Sequence, residues 1–128
     1  MIFLQREKII ESYFTAWIHK DATALEEIFS SDIIYSECYG PKYRGIEQVK
    51  QWFADWNLQG RVLEWRIKQF IHQNDTSAVE WYFHCEHEDV SHQFNGVSIV
   101  LFTAENKISN LKEFQSQSEH HYPYGESE

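Results

Sequence analysis

The chain has 128 residues, 42% hydrophobic and 16% aromatic, with 20 acidic against 11 basic side chains and a net charge of −9. That length predicts one domain with a real core. The acidic balance argues against nucleic-acid binding, while a neutral or cationic small ligand stays open.

No apolar run approaches the roughly 18–20 residues of a membrane span. The apolar opening of MIFLQREK ends after four residues and charge follows at Arg6, so neither a signal peptide nor a membrane partner is expected and a cytoplasmic location follows. Cys38 and Cys85 are then expected as free, reduced thiols.

Ile10, Tyr13, Phe14, Trp17 and Ile18 recur at helical spacing and predict an amphipathic helix from about Leu4 to Lys20. A second, shorter helix follows, capped by Asp21 or by a Thr23–Glu26 box, with Leu25, Ile28 and Phe29 apolar and Ser30–Asp32 ending it. Ile33 to Cys38 reads as a strand and Tyr39-Gly40-Pro41 as a turn. Gly45 is an acceptable N-cap for a third helix, whose face carries Ile46, Val49, Trp52, Phe53 and Trp56.

From Arg61 the period becomes two. Leu63, Trp65, Ile67 and Ile71 share one predicted face of a strand, and Val79, Trp81, Phe83 and Cys85 one face of the next. Phe94 to Thr103 is apolar on both faces, and a last strand runs from Lys107 to about Gln117. Residues 118–128 form a polar tail beyond a single domain of residues 1–117. Three helices collected before a run of long strands predict an α+β fold, a curved antiparallel sheet wrapped around the helices as a cone with one open end.

The segments YFTAWIHKDATALEEIFSSDIIYSE, YRGIEQVKQWF and KISNLKEF, in this order, resemble the nuclear transport factor 2-like superfamily, in particular its SnoaL-like polyketide cyclase and ketosteroid isomerase branches. The resemblance spans about residues 5–117 and implies the cystatin-like cone, but the fold hosts both enzymes and non-catalytic modules. Aligned without a gap to ketosteroid isomerase, Tyr13 falls on the tyrosine that donates to the substrate oxyanion, and Glu37 on the carboxylate that removes the proton beside the carbonyl. A one-residue gap puts Ser98 where that isomerase keeps a protonated aspartate, a stronger donor, and the aligned last strand points Glu113 inward where it has no acid.

The residues themselves leave alternatives. Glu37 faces either the cone, where desolvation raises its pKa, or solvent. Tyr13 has a buried ring whose hydroxyl bonds a ligand oxygen, a backbone carbonyl or Glu37. Glu113 either forms an acid–base pair with Glu37 or meets Arg44. Trp17, Trp56, Trp81 and Phe83 are read as lining for an apolar small molecule, with plain core packing as the other reading.

His84, His87 and His92 have no metal-motif spacing, so no metal or other cofactor is expected and solvated or mouth-lining histidines are the better reading. Both faces of the strand through Val97, Ile99 and Leu101 want cover, and the outer one predicts a homodimer. The expected function is small-molecule binding, with cofactor-independent isomerase or cyclase chemistry on an apolar carbonyl compound, or a non-catalytic binding or dimerisation module.

Overall fold

The computed structural model describes residues 1–125. The last three residues of the expected polar tail lie outside the described residues. The elements are α1 (Ile2–His19), α2 (Thr23–Ile28), β1 (Phe29–Ser36), β2 (Lys42–Arg44), α3 (Ile46–Gln59), β3 (Gly60–Gln73), β4 (Thr76–His87), β5 (Val90–Phe102) and β6 (Ile108–Gln117). This is the expected α+β order, with the short β2 as an addition. Six strands lie in the order β2-β1-β6-β5-β4-β3, unclosed and curved.

The sheet is mixed. β3 to β6 pair antiparallel, but β1 runs parallel to β6, with Tyr35 opposite Leu111 and Ser36 opposite Lys112. The crossover containing α3 and β3 to β5 is long enough for a parallel return, which a tight turn is not. β1 also starts earlier than its apolar run suggested, at Phe29, which leaves α2 short. Asp21 Oδ1 accepts from both the backbone N–H and the hydroxyl of Thr23, but the N-cap of α2 is Ala22, which makes no side-chain cap bond, so neither expected cap is formed.

The α1 stripe holds except at its end: Ile10, Tyr13, Phe14 and Trp17 are buried, while Ile18 is exposed. β3 corrects the simple alternation. Its register shifts between Val62 and Glu64 and again between Ile67 and Gln69. Val62, Trp65, Ile67 and Phe70 therefore turn towards the core, and Leu63 and Ile71 turn out. Each extra residue reverses the side-chain phase and bends the strand, which helps curl the sheet around the helices.

The core joins Ile10, Tyr13 and Phe14 of α1 to Val49 and Phe53 of α3, and to the inward residues of the sheet such as Val79, Val100 and Leu111. Phe14 stacks on Trp65 with ring centroids 3.8 Å apart.

Candidate active site

The filled core stops short of the end of the cone marked by the β4–β5 turn. There a cavity of about 290 Å³ opens, at the small end of the range for small-molecule pockets. α1 contributes Trp17, α3 contributes Trp52 and Trp56, and the sheet contributes Trp65, Trp81, Phe83 and Phe94. Trp17 meets Trp52 at 5.0 Å and Trp56 at 5.3 Å between centroids, so the helical wall is a continuous indole surface. Trp17, Trp56, Trp81 and Phe83 thus stand where the sequence put them, while Trp52 and Trp65 were read there only as helix or strand face.

Two acids face this cavity, Glu37 and Glu113. The parallel pairing brings them together: Ser36 and Lys112 are partners, and Glu37 and Glu113 are the next residues on their strands. Glu37 is held where β1 runs into the turn, its N–H donating to the Pro41 carbonyl at 2.9 Å and its carbonyl accepting from Gly40 at 3.1 Å. Gly40 takes a φ of 112° in this turn, a conformation that favours glycine. Among the described residues the Glu37 carboxylate accepts only a long hydrogen bond, 3.4 Å, from the Tyr43 hydroxyl.

Glu113 accepts a hydrogen bond from the Tyr35 hydroxyl, which in turn accepts one from the Tyr13 hydroxyl at 2.6 Å. Burial pushes the Glu113 carboxyl up to about 8 against the opposing pull of Tyr35, and the neighbouring Glu37 charge adds to the rise. Glu37 is raised too, by burial, less strongly, with the Tyr43 hydroxyl pulling it back. Burial lifts the phenols of Tyr13 and Tyr35 well above their ordinary value, so both stay protonated donors. The pair has the asymmetry of an acid and a base: Glu113 holds its proton at neutral pH and Glu37 gives its proton up more readily.

Tyr13 and Ser98 differ from the expectation of direct donors, since neither lines the cavity. Tyr13 is screened by Tyr35, a residue the sequence left unassigned. Its signal was parity, because Ile33, Tyr35 and Glu37 alternate and the first two are fully buried. Ser98 is the cross-strand partner of Glu113, yet its hydroxyl accepts the Trp81 indole N–H at 3.0 Å. Gly96 lies opposite Trp81, and a Cβ there would come within 2.3 Å of the indole, so Gly96 and Ser98 together set the pose of that ring.

Arg44 is not among the partners of Glu113. The histidines divide by strand parity: His87 and His92 line the cavity, while His84 bonds Ser91 at 3.0 Å. Among the described residues no group of three or more His, Cys, Asp or Glu side chains is gathered around one point. Cys38 and Cys85 are free and line the same cavity, their thiols raised by burial to about 12 and about 11.

Comparison with solved structures bears on the fold. A protein of ketosteroid isomerase-like fold from Catenulispora acidiphila, solved in complex with trimethylamine, superposes with a TM-score of 0.75 at 18% identity over 86% of each chain. A protein from Mesorhizobium loti described as a SnoaL-like polyketide cyclase gives 0.73 at 18% identity, over 89% of this chain and 98% of that one. An LEH-like epoxide hydrolase of Mycobacterium tuberculosis gives 0.78 at 12% identity, over 88% and 84%. No curated protein matches the sequence significantly. Residues 10–111 match the SnoaL-like domain across most of the fold described above, and the chain belongs to that family.

Proposed function

We propose that this SnoaL-like protein binds a small, largely apolar carbonyl compound and moves a proton on it without a cofactor, as an isomerase or cyclase would. The observation that carries this is the pairing of Glu37 with a proton-holding Glu113 across one aromatic cavity. Glu37 removes the proton α to the carbonyl. Glu113, fixed by the Tyr35–Tyr13 hydroxyl chain, donates to the carbonyl oxygen as negative charge develops there. Ser98 supports the site by holding Trp81 rather than by touching substrate.

The test is proton exchange of small enolisable ketones in deuterated water, followed by NMR. Wild type should accelerate exchange, and Glu37→Gln should remove about 10²–10⁴ of that acceleration. Undiminished exchange in a folded Glu37→Gln protein overturns the mechanism. Saturable ligand binding without any exchange leaves the family's non-catalytic, binding-module role in its place.

We propose in addition that the outer sheet face forms a homodimer, because Ile99, Leu101 and Phe114 stand 41%, 42% and 54% exposed and adjacent there. A monomeric mass by light scattering at micromolar concentration would remove this part. No helix among the described residues is long and apolar enough to cross a membrane. The two free thiols fit a reducing, cytoplasmic setting.

A further inference from the structure

Among the described residues no lysine or arginine lines the cavity that holds Glu37 and Glu113. Salt bridges among the described residues pair Arg6, Lys50, Arg61, Arg66 and His72 with other acids, and none reaches Glu37 or Glu113. Among the described residues the hydrogen-bond partner of the Glu37 carboxylate is the Tyr43 hydroxyl at 3.4 Å, too long for a strong hydrogen bond to a carboxylate. Around the acids stand indole and phenyl rings whose faces carry the negative lobe of the π quadrupole.

Both contributions therefore have one sign. A recess of low dielectric, negative at Glu37 and lined by π systems, sits in a chain of net charge −9. A purely apolar ligand leaves that field unanswered and an anion is repelled. A cation clothed in methyl groups answers both the apolar walls and the acids.

We propose that the ligand of this cavity carries an organic ammonium group, quaternary or tertiary, seated against the faces of Trp17, Trp52 and Trp56 with Glu37 as its counter-charge. The inference shares the cavity and Glu37 with the proton-transfer reading and does not need turnover. Trp17, with Trp52 at 5.0 Å and Trp56 at 5.3 Å from it, offers the surface of an aromatic cage, and Glu37 lines the same cavity. The cavity volume suits a compact ammonium rather than a long lipid amine.

The experiment is calorimetric titration of the wild-type chain at pH 7 with choline and, separately, with its uncharged carbon isostere neopentyl carbinol. Choline should bind at least about tenfold more tightly, the size of a cation–π contact reinforced by a partly buried charge. Glu37→Gln should bring choline close to the isostere, and a near-ultraviolet circular dichroism spectrum like that of wild type reports that the aromatic cavity is intact. Equal affinities in wild type, no saturable choline binding, or a preference that survives Glu37→Gln each overturns the proposal. Ketone exchange measured on the same preparations separates the two readings, since a protein that exchanges ketone protons without preferring choline loses this inference alone.

Discussion

The two ends of the cone treat charge in opposite ways. At the β3–β4 turn, Arg6 of α1 is buried, and its terminal nitrogens reach the Asn74 carbonyl at 2.7 Å and Asp75 at 3.1 Å while the guanidinium lies over Phe102. Beside it His72 is held between Glu7 and Ser77, each at 2.7 Å. At the β4–β5 end, Glu37 and Glu113 are half-buried and form no salt bridge among the described residues. Removing a charge from water is costly unless the chain supplies partners. Where partners are supplied the group fastens a helix to a hairpin, and where they are withheld burial pushes the carboxyl pKa up.

The largest effect should come from the unpartnered end. Glu113→Gln keeps an acceptor for Tyr35 but cannot pass on a proton, so turnover should fall by about 10²–10³, roughly 3–4 kcal/mol of transition-state stabilisation. Stability should not fall with it. The folded-state pKa of Glu113, about 8, lies above the ordinary 4.5, so the folded protein holds a proton that the unfolded chain releases. The linked stability is full below about 4.5, declines as pH climbs towards about 8, and is flat beyond. Melting temperatures of wild type and Glu113→Gln across this range should therefore converge at low pH, with wild type losing ground as pH rises. Parallel curves would show that Glu113 does not carry the linkage.

Arg6→Ala probes the partnered end. It removes the Asn74 and Asp75 bonds together with packing on Phe102, and should cost about 2–3 kcal/mol in urea denaturation with ligand affinity unchanged. Discounting Asp75 for its exposure keeps this estimate below that of a fully buried pair. A loss of ligand affinity as large as the loss of stability would mean that the two ends are not independent.

Ser98→Ala should cost about 1–2 kcal/mol, because the buried Trp81 indole N–H loses its acceptor. It should also weaken ligand binding modestly through the freed ring. An unchanged fluorescence spectrum and unchanged stability would remove Ser98 from its positioning role. Glu7→Gln should be the mildest, within about 1 kcal/mol, since an amide can still bond His72 at this partly exposed site.

Much of this was legible in the amino-acid sequence. Helical spacing from Ile10 to Trp17 and alternation from Val79 to Cys85 declared which faces are apolar, and the order of helices and strands declared an α+β cone. For Glu37 parity left both faces open and only the resemblance to ketosteroid isomerase favoured the inner one, whereas parity carried Trp81 and Phe83 to the inner face. These are properties of a residue relative to its near neighbours, which periodicity measures directly.

Tertiary structure decided what periodicity does not contain. The parallel return of β1 beside β6 set Glu37 next to Glu113, and the shifts in β3 sent Leu63 and Ile71 outward against the alternation. The partner of a buried hydroxyl was also a tertiary choice. Tyr13 stops at Tyr35 and Ser98 at Trp81, so two residues expected to touch a ligand stand one layer behind those that line the cavity. A polar group enclosed in a core bonds to whichever donor or acceptor the packing brings within about 3 Å, and that distance is fixed by strands far apart in the chain.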